Sequence, residues 1–227
     1  MSLLNNVVVA TAVHAVFRLT SRCAFLGRQH LPSRGEPYLL AVAHVSHYDP
    51  VVVGALLRRK LDYMARAEFY ETPIARWFVE QAGCIRIDRS GPALPGIREA
   101  LRRLAKRRPV AIFPEGEIMS GADSVLNGGP VKGGAGLISR RASRSGSAVP
   151  IVPCVVLGGD QFRRVLSWLP LRTGRLWIGL GEPIWLADDV RPGRASRASA
   201  SIALGDAMRD VYQRMQEQFD LPGEVKP

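Results

Sequence analysis

From Tyr38 onward the chain alternates short apolar runs with stretches whose apolar residues recur every three or four positions. The short runs are Tyr38 to Ala43, Leu61 to Ala65, Cys84 to Ile87, Val110 to Phe113, Val149 to Leu157 and Leu176 to Leu180, each of strand length and bounded by turn residues. Between them, Thr72 to Gln81 reads as a helix ended by Gly83, and Ile97, Ala100, Leu101, Leu104 and Ala105 form a helical stripe stopped by Pro109. Asp49-Pro50 reads as an N-cap followed by proline at the first helical position, opening a helix through Val51 to Arg59. Leu204, Met208, Val211, Met215 and Phe219 mark a final helix, reached through an arginine-bearing linker of small residues over Pro192 to Ser201. Strands alternating with helices predict a single-domain α/β sandwich around a mostly parallel central sheet, with functional loops gathered at strand ends.

The first residues behave differently. The apolar stretch Val7 to Phe17 is interrupted by His14 and closed by Arg18, well short of the ~20 residues a spanning helix needs. Thr11, His14, Arg18 and Ser21-Arg22 recur on one side, with Val9, Val13, Val16 and Leu19 opposite, which predicts an amphipathic helix. Such a helix either packs on its own domain or lies in a lipid interface. The division expected is therefore a membrane-associating helix over residues 1–29 and one globular domain over 30–227. No positive charge precedes the apolar stretch, which argues against a secretory signal.

Charge adds a partner class. Lys and Arg number 31 against 20 Asp and Glu, a formal net charge of +11, and many of the basic residues fall in short clusters such as Arg58-Arg59-Lys60, Lys106-Arg107-Arg108 and Arg140-Arg141. An anionic membrane surface, an acidic carrier protein or a phosphorylated substrate fits this balance. No zinc-ligand spacing, base-stacking aromatic motif or basic zipper accompanies the clusters, so nucleic acid is not expected. Cys23, Cys84 and Cys154 are too few and too scattered for a disulfide framework or a metal site, which points to a reducing, cytosol-facing location. Gly128 to Gly136 lacks the Gly-Lys-Ser/Thr of a phosphate-binding loop and reads as a loop opening the helix around Leu137.

Candidate chemistry sits at the end of the first predicted strand. His44 and Asp49 are five residues apart, about 140° around a continuous helix, but they can meet across a strand-to-helix junction. An imidazole can take a proton from a hydroxyl while a carboxylate on its other nitrogen fixes the tautomer and stabilises the cation formed. Alone, such a pair is more often an N-cap and a structural hydrogen bond, and His47 is a rival base. No G-x-S-x-G nucleophile elbow is present.

The surrounding residues, Ala43-His44-Val45-Ser46-His47-Tyr48-Asp49-Pro50, resemble the N-H-x-S-x-x-D signature of the glycerophospholipid acyltransferase family, typified by lysophosphatidic acid acyltransferases. Gly83 to Arg89, Phe113-Pro114-Glu115-Gly116 and Val149 to Cys154 resemble the family's second, third and fourth blocks in order, and Lys132-Gly133-Gly134-Ala135 also fits its pattern. The resemblance covers about residues 38 to 157. It implies His44 as general base, Asp49 as its orienter, Arg89 and the Glu115-Gly116 loop as acceptor-binding elements, and Pro153 as part of the wall of the site. The implied reaction is acyl transfer from acyl-CoA or acyl carrier protein to a lysophospholipid hydroxyl, with 1-acyl-sn-glycerol-3-phosphate as acceptor. No cofactor and no acyl-enzyme are implied, and the expected location is the cytoplasmic face of a membrane, peripheral or monotopic.

Two positions depart from the pattern. Ala43 stands where the family has asparagine, and Glu117-Ile118-Met119 stands where Thr-Arg commonly follows Phe-Pro-Glu-Gly. The absent arginine is one that, by resemblance, helps to hold the acceptor phosphate, so Arg66, Arg86 or Lys132 would have to supply that charge. The departure leaves open an acceptor without phosphate, or a lipid-binding module without turnover.

Overall fold

The computed structural model describes residues 11–88 except 13, 94–144, 148–163, 174–186 and 194–221. Seven strands form one sheet: β1 Ser21–Leu26, β2 Leu39–Val42, β3 Asp62–Arg66, β4 Ile85–Ile87, β5 Val110–Ile112, β6 Ile151–Leu157 and β7 Gly174–Leu180. Their order is β1-β7-β6-β2-β5-β3-β4. Every neighbouring pair is parallel except β6 with β7. The helices are α1 Asp49–Leu57, α2 Pro73–Gln81, α3 Leu94–Ala105, α4 Gly134–Ser143 and α5 Arg194–Gln218.

The apolar runs are continuous because the central strands are covered on both faces. In β2 every residue is buried, and side chains alternate between two cores as the pleat requires. Leu39 and Ala41 face α3, α4 and α5 through Ala100, Leu104, Ile138, Leu204 and Met208. Leu40 and Val42 face α1 through Val52, Val53 and Leu56. The predicted α/β sandwich and its mostly parallel sheet are what the chain forms.

Two boundaries differ from the pattern reading. Ser21 to Leu26, placed in the N-terminal helix by spacing, is a strand that pairs with β7. It borders a single neighbour, so its six residues carry little alternation to mark it. The segment read as a linker, Pro192 to Ser201, is already helical from Arg194, because small residues let α5 approach Gly136 beside Ala200. The N-terminal helix is described from residue 11, apart from 13, to residue 20. Val7 and Val9 lie outside the described residues, as does Val13. The inward face carries Phe17, fully buried, and Thr20, with the His14 ring within 2.9 Å of the Ala55 carbonyl. Burying Phe17 alone stabilises this docking by on the order of 2 kcal/mol. Leu19, expected on the packed face of an ordinary surface helix, is 56% exposed.

Parallel pairing also sorts the loops. The segments after β2, β3, β4, β5 and β6 all leave at one edge of the sheet, termed the catalytic edge after the roles expected of His44 and Asp49, while the C-termini of α1, α3 and α4 return to the opposite edge. β7 and β1 run the other way, so they begin at the catalytic edge.

Candidate functional site

His44 lies two residues beyond the end of β2, and Asp49 opens α1. Asp49 is not an N-cap. It is the first helical residue, Tyr48 occupies the cap position without a side-chain bond, and the Asp49 carboxylate turns back over the loop. Its Oδ2 lies 3.1 Å from His44 Nδ1 and accepts the backbone N–H groups of Val45 at 2.9 Å and Ser46 at 2.8 Å. With this partner the ring proton belongs on Nδ1, leaving the Nε2 lone pair to accept a proton from a substrate. Asp49 is fully buried whereas the His44 side chain is 17% exposed, so the ring alone of the pair faces solvent. Burial raises the Asp49 pKa, opposed by the hydrogen bonds from His44, Ser46 and Val45.

The loop is held at both ends of His44. Glu115 Oε2 accepts the His44 N–H at 2.6 Å, and Met119 N–H donates to the His44 carbonyl at 3.0 Å. The other Glu115 oxygen accepts Val125 N–H at 2.8 Å. The Glu115 carboxylate therefore ties the end of β2 to the segment preceding the glycine-rich loop. Glu115 is 1% exposed, and burial raises its pKa against those two hydrogen bonds. Both of its oxygens are engaged by backbone N–H groups and the side chain is closed to solvent. Gly116 takes φ 82°, which suits glycine, and its N–H is spent on the Phe113 carbonyl at 2.9 Å.

The remaining expected residues are placed less closely. Arg66 ends β3 at the catalytic edge and is half-buried. Lys132 has an exposed side chain, and its N–H donates to the Pro114 carbonyl at 2.9 Å. Arg86 lies over the Tyr70 ring, 5.4 Å from its centroid. Pro153 is buried within β6 opposite Ala41, its ring packed on Gly181, so it supports the sheet under the loop and does not join the His44 cluster. Arg89 lies outside the described residues. His47, the rival base, is exposed.

Two contributors were not singled out by sequence. The Phe113 ring lies against His44 with centroids 4.2 Å apart and a 32° tilt, backed by Tyr63 stacked at 6.4 Å. Gly159, just after β6, packs so closely that an added Cβ would stand 3.0 Å from Ser46 Cβ and Oγ and 3.2 Å from Asp49 Oδ1. That Oδ1 has no hydrogen-bond partner among the described residues. Phe113 was legible as an aromatic at a strand end, whereas nothing in the spacing ties Gly159 to a loop over a hundred residues earlier.

The arrangement can abstract a proton from a hydroxyl in a preorganised setting. Covalent catalysis by cysteine is disfavoured: burial, reinforced by Asp62, pushes the Cys84 thiol up to about 11, and burial beside Asp49 pushes Cys154 further. Among the described residues, no group of three or more His, Cys, Asp or Glu could hold a metal ion, and no helix is long and apolar enough to cross a membrane.

Comparison with known proteins follows the same residues. A family model described as Acyltransferase matches residues 22–157. The 1-acyl-sn-glycerol-3-phosphate acyltransferase of Bacillus subtilis is 22% identical over 92% of this chain and 97% of its own length. That of Streptococcus pneumoniae is 28% identical over 70% of this chain, a match spanning only 54% of the pneumococcal protein. A lyso-ornithine lipid O-acyltransferase of Pseudomonas aeruginosa is 31% identical over 66% of this chain and 60% of its own. In fold, the chain resembles the 1-acyl-sn-glycerophosphate (LPA) acyltransferase PlsC of Thermotoga maritima, with a TM-score of 0.68, 15% identity, and coverage of 95% of this chain and 83% of the other.

Proposed function

Because the chain belongs to the Acyltransferase family, we propose that it moves a fatty acyl group from an acyl thioester to the hydroxyl of a lysophospholipid, with 1-acyl-sn-glycerol-3-phosphate as acceptor. The observation that carries this reading is the anchored pair, His44 Nδ1 on a buried Asp49 carboxylate with the imidazole open on its other side. Nε2 takes the acceptor's hydroxyl proton as that oxygen attacks the thioester carbonyl carbon. The C–O bond forms, the tetrahedral intermediate collapses with cleavage of the C–S bond, and the imidazolium returns the proton to the leaving thiolate. Asp49 holds the imidazolium between these steps. The donor is acyl-CoA or acyl carrier protein, and the transfer needs no cofactor.

The acceptor's hydroxyl lies at a lipid interface, so the catalytic edge faces the membrane in this reading. Leu19, 56% exposed, and Val51, 45% exposed, support that orientation, with Arg18 and Arg22 exposed on either side of Leu19 in the chain. This is peripheral or monotopic attachment at the cytoplasmic face to an anionic surface. Arg89, aided by Arg66 and Lys132, would bind the acceptor phosphate. A second reading, an acceptor without phosphate, draws on Glu117 in place of the family's Thr-Arg and on the likeness to the lyso-ornithine lipid enzyme.

The test is a transfer assay with purified protein, labelled palmitoyl thioester in vesicles, and three acceptors: lysophosphatidic acid, lyso-ornithine lipid and monoacylglycerol. Labelled phosphatidic acid, lost on His44→Ala, is the expected outcome. Faster acylation of either phosphate-free acceptor would favour the second reading. No product with any acceptor would make the chain a lipid-binding module.

A further inference from the structure

Among the described residues, three basic clusters stand away from His44. Arg58 and Lys60 follow the C-terminus of α1, Lys106 and Arg107 follow that of α3, and Arg141 and Arg144 close α4, so all six lie at the edge of the sheet opposite the catalytic one. All six are exposed. Two acids of that edge are already engaged, Asp62 by Arg103 and Arg108 and Glu99 by Arg102 and Arg103. Among the described residues its exposed acids are Glu36, Glu80 and Glu182. Among the described residues, exposed positive charge therefore outweighs exposed negative charge on the far side of the sheet.

A membrane at the catalytic edge cannot be what this charge addresses. α1 separates the two edges by nine residues, about 14 Å at the α-helical rise. Screening at physiological ionic strength has a decay length of about 8 Å, so these charges reach the bilayer attenuated to about a sixth. A small anion is also a poor match, since the six residues are spread over the ends of three helices and do not converge on one point. The breadth fits the surface of an acidic protein.

Resting on the acyltransferase reading above, we propose that this basic edge docks an acidic acyl carrier protein, which delivers the acyl thioester from the side away from the membrane while the lipid acceptor enters at the catalytic edge. The carrier's thioester arm has to cover about one helix length, about 14 Å, to reach His44. The two substrates then approach without competing for one surface. Coenzyme A thioesters, which need no protein docking, bypass this edge.

The experiment compares the parent with a variant carrying Arg58→Glu, Lys60→Glu, Lys106→Glu and Arg141→Glu, and with the corresponding Gln variant as a milder form should reversal impair folding. Palmitoyl-loaded acyl carrier protein and palmitoyl-CoA serve as donors, and vesicles of phosphatidylglycerol and phosphatidylcholine report membrane binding. The proposal expects KM for the carrier donor to rise tenfold or more, falling back toward the parent ratio at high salt because the parent weakens. It expects kcat/KM with palmitoyl-CoA and vesicle binding to stay within twofold. Release of the variant from vesicles would assign the edge to the membrane, and equal loss with both donors would assign it to shared catalytic structure. Unchanged carrier kinetics would leave it a solvated surface, and loss of duplex RNA binding with unchanged carrier kinetics would assign it to nucleic acid. All four outcomes overturn the proposal. If the parent transfers from neither donor, the acyltransferase reading fails instead. The docking surface is then judged by calorimetry with unloaded carrier, where binding to the parent and not to the variant sustains it and equal binding overturns it.

Discussion

Replacing Glu115 by glutamine separates a strut from a substrate contact. The two carboxylate oxygens each accept one backbone N–H, from His44 at 2.6 Å and from Val125 at 2.8 Å, in a position 1% exposed. Glutamine offers one oxygen and one NH2, so one of the two N–H groups must face a donor. A buried donor left without its acceptor costs about 1–3 kcal/mol, and the surviving bond loses its charge assistance. Part of this is offset, because burial already raises the Glu115 pKa and the amide has no ion to bury. The net expectation is destabilisation by about 1–3 kcal/mol, or roughly 2–10 °C in Tm for a chain of this size. The catalytic loss should be larger in proportion, since His44 hangs from this bond and a 1 Å displacement of a reacting group can cost ~10²-fold. Urea melts with steady-state kinetics, in which kcat falls and KM for the acceptor holds, are the check. A Glu115→Gln protein as stable as the parent, with normal kcat and a raised acceptor KM, would refute the strut and return Glu115 to the acceptor site.

The other expectations are shorter. His44→Ala should reduce turnover by ~10²- to 10⁴-fold with the fold intact, and His47→Ala far less; the reverse ranking in the transfer assay would move the base to His47. Because burial raises the Asp49 pKa, the ionised carboxylate opposes folding: its contribution to stability is complete below the ordinary aspartate range and is lost as pH rises through the raised value. The stability of Asp49→Asn relative to the parent should therefore improve from pH 4 to pH 7 while its turnover is lost, and a flat difference in denaturant melts would contradict this. Gly159→Val should push on Ser46 and Asp49 and cut kcat at least tenfold, with Gly159→Ala intermediate. Arg89→Lys should weaken lysophosphatidic acid more than monoacylglycerol, since lysine cannot reproduce a two-point grip on phosphate.

What could be read in advance was whatever the chain writes locally. Strands β2, β5 and β6 are buried on both faces, so each appears as an uninterrupted apolar run, and His44 and Asp49 fall five apart in one loop that has to close on itself. β1 escaped because a peripheral strand with polar residues at its start, Ser21 and Arg22, satisfies helical spacing equally well. The strut made by Glu115 was hidden for a related reason: taken alone, a glutamate in a glycine-bearing turn reads as a turn residue, and only the parallel pairing of β2 with β5 brings it to the His44 amide. The distribution of charge was visible as clusters but not as a direction, since each cluster's edge follows from the sense of the strand it precedes.

The pairing of β2 also decides when the site can exist. Its neighbours in the sheet are β5 and β6, which begin at Val110 and Ile151, and the Glu115 to His44 bond joins residues 71 apart. A ribosome that has released the chain only as far as Arg108 has therefore made His44 and Asp49 but not the Glu115 carboxylate that anchors the His44 amide, and β2 waits with both of its hydrogen-bonding edges bare. Long-range parallel pairing of this kind is slow to form and leaves such edges open to the wrong chain. The interval between the synthesis of β2 and the arrival of β6 is the time at which this protein is most exposed to aggregation, and a chain interrupted before Ile151 should be found in inclusion bodies or bound to chaperones with no residual turnover.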